Sequence, residues 1–407
     1  MTSMFTLFAR SGLVLGIAMG FSISALAGGI AVPEQGTKAI GMGNAFTAVA
    51  DDASAIWFNP AGIAFQDGVV VTLGTDFIMP NTDYQPLAGG ATISPKKSTF
   101  VVPHAYISYN NPDLPVVFGL GINSPFGLTT DWTGVNVPFD SATNKSTLSK
   151  VELLHFNPTI AFKVNEQLSL AAGISYYSLV NFIFDTSILT QHHKTGDGWG
   201  GNIGMLYKGE KFNFGATYRS RVKIDASGTA TGVGALAAQG STSVKTETTL
   251  PDMVSVGLAF KPTEQWLLSA NVDWVNWKTL DKLVFTRGRA IGAIGTSSTS
   301  LFNWKATTAF RLGTEWAYSP TTRIRSGYVF DPTPIKDADF TPRIPGNDRH
   351  IITFGYGYDV NKTMTLDLSY AYAYIVKRNH TVGTISTRNG YYKSDVHLAM
   401  LSTTFRF

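Results

Sequence analysis

The clearest indication of the fold is the segment Met364-Thr365-Leu366-Asp367-Leu368-Ser369-Tyr370-Ala371-Tyr372-Ala373-Tyr374. Large apolar side chains occupy every second position, and the residues between them are polar or small. A period of two predicts a β-strand with one apolar face, because successive side chains of a strand point to opposite sides. The sequence therefore describes a strand that separates an apolar environment from a polar one.

The same alternation recurs along the rest of the chain, for example in 212–219 and 266–274. No segment sustains a period of 3.6, so long amphipathic helices are not predicted. From about residue 67 onward we count fourteen candidate strands. They lie near 67–79, 99–110, 114–124, 152–164, 167–185, 198–207, 211–226, 248–261, 265–277, 303–318, 322–331, 348–359, 363–378 and 396–407.

The connections between these strands alternate in length. Tight turns are predicted at 110–113, 164–166, 208–210, 261–263, 319–321 and 360–362, with longer loops between them. Short turns on one side, long loops on the other and an even strand number are typical of a bacterial outer-membrane barrel. A soluble all-β sandwich has the same period, but aromatic residues crowd the strand ends as membrane interfaces require. The fold class predicted is all-β: a 14-stranded antiparallel transmembrane β-barrel.

Composition and the amino terminus agree with an exported protein. The 407 residues include 32 Lys and Arg, 28 Asp and Glu and no Cys, which excludes disulfides and thiolate zinc sites. No basic run indicates a nucleic-acid partner, and no long apolar run follows the first thirty residues. Residues 1–27 carry one charge, Arg10, and end in Ala25-Leu26-Ala27. This predicts a signal peptide cleaved before Gly28, with a single anchoring helix as the alternative.

Residues 28–66 do not alternate and are rich in Gly, Ala and Asp. Such a segment fits a compact plug inside a barrel, because a lumen of this size is either filled or remains an aqueous pore. On physical grounds alone it fits a periplasmic linker equally well.

Short motifs in this segment carry a family resemblance. Gly41, Gly43 and Ala45 form a G-x-G-x-A element, Asp51 to Ala53 form D-D-A, and Asn59 to Gly62 form N-P-A-G. The segment resembles the hatch of the long-chain fatty acid outer-membrane transporter family (FadL type). The stretches 119–128, 273–277 and 342–349 agree, so the similarity covers essentially the whole chain after residue 27. The carboxy terminus, 401–407, resembles the signal read by the outer-membrane assembly machinery, with Phe407 as its terminal aromatic.

The resemblance implies a plug at 28–66 inside a barrel at 67–407, a monomer in the outer membrane of a Gram-negative bacterium, in contact with outer-membrane lipids. It implies passive uptake of hydrophobic molecules: capture among extracellular loops, an apolar lumenal pocket, and exit through a kink in the third strand. The expected cargo is long-chain fatty acids, with aromatic hydrocarbons as the alternative within the family. The hatch residues implied are Gly41, Gly43, Phe46, Asp51, Asp52, Asn59, Pro60 and Ala61. The kink residues implied are Gly119, Gly121, Asn123, Pro125 and Phe126, with the kink centred on the two glycines.

A carboxylate ligand needs a cationic partner, and inward cations are predicted by strand parity. A Lys or Arg on the lipid face at mid-bilayer costs about 2–4 kcal/mol, so the strand arginines, Arg219 and Arg221 included, are expected inside. The ligand-binding candidates are Lys305, Arg311, Arg323, Arg325 and Arg349, with Arg343 in the same stretch as Arg349. The alternative is that these cations pair with Asp273, Glu315, Asp367, Asp51 or Asp52 and hold the plug to the wall, because buried charges are usually paired.

An enzyme is not indicated. No histidine lies at a spacing that suggests a catalytic triad, and no cofactor or metal is expected. His192 and His193 fall in a predicted long loop, where solvated side chains are favoured over a metal site. A general hydrophilic porin is the stronger competitor, because inward Ser, Thr, Asn and Arg also line water channels. The apolar loop stretches 137–139 and 291–294 favour a hydrophobic cargo.

Overall fold

The computed structural model describes residues 28–87, 89–137, 139–140, 144–381 and 386–407. The predicted signal peptide and Pro138 lie outside the described residues. The strands are β1 (Gly68–Pro86), β2 (Phe100–Asn110), β3 (Val117–Asn123), β4 (Gly127–Asp131), β5 (Ser146–Lys163), β6 (Leu168–Thr186), β7 (Leu189–Lys208), β8 (Phe212–Arg219), β9 (Val222–Gly232), β10 (Ser241–Leu250), β11 (Met253–Thr263), β12 (Trp266–Val275), β13 (Lys282–Arg287), β14 (Ser297–Leu301), β15 (Thr307–Ser319), β16 (Thr322–Asp331), β17 (Arg349–Asn361), β18 (Met364–His380) and β19 (Gly390–Arg406).

Helical structure is confined to short pieces. The α-helices are α1 (Thr37–Gly41) and α2 (Ala55–Phe58), and the 3₁₀ helices are Pro60–Phe65, Gly234–Gln239, Trp277–Thr279, Asp337–Asp339 and Ser386–Arg388. Among the described residues, no helix has the length and apolar character needed to cross a membrane.

The strands form one closed antiparallel barrel. Five pairs of segments, β3/β4, β8/β9, β10/β11, β12/β13 and β14/β15, are the two halves of an interrupted strand, which leaves fourteen strands in all. Closure comes from β1 and β19, whose register runs from Val70 opposite Arg406 to Pro86 opposite Gly390. The predicted fourteen-stranded barrel is confirmed.

Turns and loops segregate to opposite ends, as predicted. Short turns at 111–116, 164–167, 209–211, 264–265, 320–321 and 362–363 share one end, and most connections at the other end are longer. Many strands continue further toward the loop end than the sequence suggested. The prediction that His192 and His193 occupy a loop is wrong: both lie in β7, opposite Thr229 and Gly228 of β9.

The two faces of the wall differ as the alternation predicted. In β18 the side chains of Leu368 and Tyr370 are exposed on the outer surface, while those of Asp367 and Ser369 are buried inside. An apolar exterior and a polar lumen are what a membrane-spanning barrel requires.

Interruptions of the strands change this pattern on one side of the barrel. The register sets Arg219 beside Met253, Met253 beside Val275, and Val275 beside Thr307, so four interruptions lie at one level. Two parity predictions fail there. Arg219 is buried, but Arg221 lies in the break after β8 and is exposed, and Lys305 lies in the break before β15 and is also exposed.

Residues 28–66, called the N-terminal segment below, pack against inward-facing groups of the strands. The Ser369 hydroxyl donates to Thr37 O at 2.7 Å, and Tyr106 Oη donates to Gln35 O at 2.8 Å. Asn271 Nδ2 donates to Thr47 Oγ1 at 2.8 Å. Because these bonds reach strands on different sides of the barrel, the segment is fixed to the wall at several points.

Candidate functional site

An apolar cavity lies near the loop end of the barrel, and we call it the upper cavity. It encloses about 670 Å³ that protein atoms do not fill. Its wall carries residues from the loop-end halves of the interrupted strands, β4, β9, β10 and β13, from β5 and β6, and from the loop before β17. The apolar lining residues are Ile30, Leu128, Val151, Leu153, Leu179, Phe182, Ile183, Phe184, Ile224, Ala226, Leu250, Leu280, Leu283, Phe302 and Ile344.

One cation on this wall has no carboxylate partner. Arg343 is buried, donates to Ser149 Oγ and to Asp185 O at 2.7 Å each, and its guanidinium lies 3.8 Å from the centre of the Phe184 ring. Among the described residues no carboxylate oxygen approaches it within 4.0 Å. Burial lowers the pKa of Arg343 to about 10, and Asp140 opposes this more weakly. Lys150, also on the wall, is neutralised by Glu152 at 2.9 Å.

A second cavity, the lower cavity, lies between the N-terminal segment and the wall and encloses about 850 Å³. Ala31 and Pro33 line it from the segment, whereas Ile30 lines the upper cavity. Phe126 and Trp277 of the lower cavity belong to the same buried apolar cluster as Leu179 of the upper one. Neighbouring residues of the stretch 30–33 therefore line the two cavities, which lie next to each other.

Most of the predicted ligand-binding cations are paired with acids. Arg311 pairs with Asp273 and Arg349 pairs with Asp331, both on the lower cavity. Arg325 is bonded to Glu315 and Asp367 at 2.6 Å each. For Arg311 and Arg325, the partners are acids that the sequence analysis named in its alternative, in which these cations form ion pairs and do not bind the ligand.

The other two candidates lie elsewhere. Arg323 donates mainly to backbone carbonyl groups of the nearby turn, and its nearest carboxylate oxygen, on Asp359, is 3.9 Å away. Lys305 is exposed between β14 and β15. Neither residue lines the upper or the lower cavity.

The third strand is interrupted at residues 124–126. There the N-terminal segment takes the place of a neighbouring strand: Val32 N donates to Pro125 O at 2.9 Å, and Gly127 N donates to Ile30 O at 2.8 Å. On the described part of the chain, β4 pairs with β5 and with no other strand, although β3 pairs with both β2 and β5.

The predicted kink residues divide into two groups. Asn123, Pro125 and Phe126 lie at or beside the interruption, but Gly119 and Gly121 lie in the regular part of β3. The sequence-based centring of the kink on the glycines is therefore wrong. A Cβ on Gly119 would approach Ile56 Cδ1 and Ile63 Cδ1 to 2.9 Å each, so the lack of a side chain here lets these two residues of the N-terminal segment pack closely on β3.

The predicted hatch residues are buried in the N-terminal segment, except Asp51, which is exposed. Asn59 Nδ2 donates to Thr47 O at 2.8 Å and to Met205 O at 2.9 Å. Its side-chain oxygen accepts from Ala61 N, and Pro60 begins the 3₁₀ helix. The remaining hatch residues make the following contacts: Phe46 with the Phe58 ring at 5.5 Å, Asp51 with Lys38 at 2.8 Å, Asp52 with Ser54 N at 2.9 Å, Gly41 with the Thr353 hydroxyl at 3.3 Å, and Gly43 with the same hydroxyl at 3.1 Å.

Gly43 occupies a position that only glycine fills easily. Its φ of +62° lies in the left-handed region, and an added Cβ would stand 2.9 Å from Leu312 O. The N-terminal segment therefore approaches the wall backbone closely at this point.

Sequence reasoning missed the upper cavity and the environment of Arg219. Arg219 was expected inside but not among the ligand-binding residues. The sequence shows no signal of the change that follows Arg219: apolar residues keep the even positions in 212–218 and in 222–224, although the structure buries odd positions in β8 and even positions in β9.

The closed barrel, its apolar exterior and the cavities in its lumen define an integral outer-membrane β-barrel protein. The comparison with known sequences gives the particular family. Residues 18–407 match the family described as "Outer membrane protein transport protein (OMPP1/FadL/TodX)", and the chain belongs to it.

Individual relatives agree with this assignment. The chain is 26% identical to a long-chain fatty acid transport protein of Salmonella typhi over 86% of this chain and 88% of that protein. It is 25% identical to the putative outer membrane protein NMB0088 of Neisseria meningitidis serogroup B, over 81% and 82% respectively. Both relatives are matched over most of their length.

Solved structures share the fold. A Pseudomonas aeruginosa FadL homologue superimposes with a TM-score of 0.80 at 17% identity, covering 93% of this chain and 99% of that one. The Pseudomonas putida toluene transporter TodX gives a TM-score of 0.71 at 17% identity, covering 95% and 99%.

Proposed function

We propose that this protein carries long-chain fatty acids passively across the outer membrane, with the acyl chain held in the upper cavity and the carboxylate on Arg343. The observation that carries the proposal is a buried arginine without a carboxylate partner on the wall of an otherwise apolar cavity. A bound carboxylate would supply the missing counter-charge, and its bidentate geometry suits a guanidinium. The names of the sequence relatives, long-chain fatty acid transport proteins, support the same cargo.

Tight binding of the acyl chain makes release the difficult step. Burial is worth about 0.8 kcal/mol per CH₂, so sixteen carbons give roughly 12 kcal/mol before ordering costs. Because residues of the stretch 30–33 line both cavities, movement of this stretch is the release step that we propose. Deleting residues 28–33 should change uptake while the barrel stays folded, and unchanged uptake would refute the role.

The exit that we propose is sideways, through the wall at residues 124–126. In this region β4 has a strand on one side only, and Pro125 and Phe126 line the lower cavity. A hydrophobic cargo that leaves here enters the membrane and avoids water. Locking the N-terminal segment onto the interruption, for example by a disulfide between Ala31→Cys and Phe126→Cys, which lie opposite each other in an antiparallel bridge, should reduce uptake reversibly with reductant.

The direct test of the carboxylate site compares hexadecanoic acid with hexadecanol. The purified Arg343→Gln variant should bind the acid roughly tenfold more weakly and the alcohol unchanged, because a hydrogen bond to a charged group is worth about 1.5–3 kcal/mol. Arg323→Gln removes the same charge away from both cavities and is the matched control. Equal losses for the acid and the alcohol would contradict the role of Arg343.

Aromatic hydrocarbon uptake is the second candidate, because Phe182, Phe184 and Phe302 line the upper cavity. The structural likeness to TodX, named as a toluene transporter, is a likeness of fold alone. Growth of a deletion strain on oleate or on toluene, with and without the gene, separates the two cargoes. A large steady current in planar bilayers would instead favour a hydrophilic porin.

A further inference from the structure

A second buried arginine, Arg219, lines the lower cavity at the end of β8. Its Nη1 donates to Ser175 Oγ at 2.8 Å and to Asn157 Oδ1 at 3.4 Å, and its Nη2 donates to Trp57 O at 3.3 Å. The guanidinium also lies 4.2 Å from the centre of the Trp57 ring. All of these acceptors are neutral, and only one of the hydrogen bonds is short.

The other arginines on this cavity are neutralised. Arg311 and Arg349 are held by Asp273 and Asp331, whereas no carboxylate oxygen of the described residues lies within 4.0 Å of Arg219. An anion entering the lower cavity would meet the negative charge of Asp273 or Asp331 at those two sites. At Arg219 it meets a positive charge whose present acceptors are neutral, and a carboxylate can bind a guanidinium through two parallel hydrogen bonds.

The location of Arg219 links this charge to the proposed exit. Trp57, on which it stacks, lines the lower cavity together with Pro125 and Phe126 of the interruption in the third strand. The Trp57 ring also contacts His155, whose Nδ1 donates at 2.7 Å to Oδ1 of Asn123, the last residue of β3. Arg219, the N-terminal segment and the edge of the interruption are therefore in one chain of contacts.

We infer that Arg219 is a second docking site for the carboxylate of the cargo, used after the head group leaves Arg343 and before the molecule enters the wall opening. The inference rests on the proposed function. Its physical reason is the cost of moving a bare carboxylate through an apolar interior, which is high unless a cation receives it. A docking site in the lower cavity, between Arg343 and the wall opening along the proposed path, lowers that barrier without the depth of a final binding site.

The test measures uptake and binding separately, with hexadecanoic acid and hexadecanol as cargoes. Cells that lack their own transporter receive the wild type, Arg219→Gln, Arg219→Lys or the control Arg323→Gln. Arg219→Gln should slow acid uptake about tenfold and change alcohol uptake less than twofold. Binding of the acid to the purified variant should remain within about threefold of wild type, because Arg343 is intact. Arg219→Lys should recover most of the acid uptake, since it keeps the charge.

Two outcomes would overturn the inference, and a third would refute the proposed function. Equal slowing of acid and alcohol, with the heat-dependent gel mobility of a folded barrel retained, would assign Arg219 a structural role and overturn the inference. Unchanged acid uptake in Arg219→Gln would also overturn it. Wild-type protein that carries neither cargo would refute the proposed function itself, and that result differs visibly from a failure confined to Arg219.

Discussion

Replacing Arg325 by Ala tests whether the inner arginines hold the protein together or hold the cargo. Arg325 is 3% exposed and donates at 2.6 Å to Glu315 and at 2.6 Å to Asp367. Glu315 is also 3.7 Å from Lys38, which in turn bonds Asp51 of the N-terminal segment at 2.8 Å. Arg325→Ala leaves Asp367 buried without its partner, and such a loss costs about 3–5 kcal/mol.

The assay is urea unfolding of the purified barrel in detergent, followed by tryptophan fluorescence and by gel mobility without heating. Arg323→Ala is the control, because its ion pair with Asp359 is long and partly exposed, and such pairs contribute about 0–1 kcal/mol. The double variant Arg325→Ala with Asp367→Asn should recover part of the loss, because it no longer buries an unpaired charge there. A loss below about 1 kcal/mol in Arg325→Ala, together with selective loss of acid binding, would refute the structural assignment.

Three further predictions address the segment, the cavity and the loops. Gly43→Ala forces a Cβ toward Leu312 O at a φ of +62°, so the free energy of unfolding should fall by at least about 1–2 kcal/mol; an unchanged urea midpoint would count against the close contact. Phe182→Ala removes a wall of the upper cavity and should raise the Kd for hexadecanoic acid roughly tenfold by calorimetry, whereas a cargo bound elsewhere would leave it unchanged. Burial alone would raise the pKa of the Asp140 carboxyl, but Arg388 holds this pKa below the usual 3.8. The contact between Asp140 and Arg388 therefore contributes stability above pH 3.8 and loses it as the pH falls further. Hydrogen exchange at 386–389 should accelerate in acid and, at pH 7, in Asp140→Asn.

The barrel was predictable because a strand in a membrane carries apolar side chains on the face toward lipid and polar side chains on the face toward the lumen. Leu368 and Tyr370 face outward and Asp367 and Ser369 face inward, as alternation alone predicts. Strand lengths were less predictable, because strands here continue beyond the membrane, and residues such as His193 then look like loop residues in the sequence. The glycines of β3 do not mark the kink, because glycine in a strand is typical both of a bend in the backbone and of close packing, here against Ile56.

The site was predictable only in part, because pairing of charges is a property of three dimensions. Alternation along the strands predicted that Arg311 and Arg325 face the lumen. It gave no information on whether a carboxylate lies beside each of them. Arg343 differs from Arg349 in this respect although both come from one short stretch: one contacts Ser149 and a backbone carbonyl, and the other contacts Asp331. The residues that matter for an anionic cargo are those whose partners are neutral, and this distinction appears only when distant strands are brought together.

The strand interruptions explain how one wall provides both an apolar exterior and an apolar cavity. In β8 the buried positions are odd, with Asn213 and Arg219 inside, whereas in β9 they are even, with Val222 and Ile224 inside and Lys223 outside. In a continuous strand the same alternate positions would face the lumen along the whole length, and these positions carry the polar residues. The break at residues 220–221 shifts the parity as a bulge does, so that apolar residues turn inward where the outer surface carries charges. A charged outer surface belongs in water, and the upper cavity therefore lies at the level where the strands leave the membrane. Arg219 stands at the boundary, where the lining changes from polar to apolar, and this is the level at which an amphipathic cargo has its head group on one side and its tail on the other.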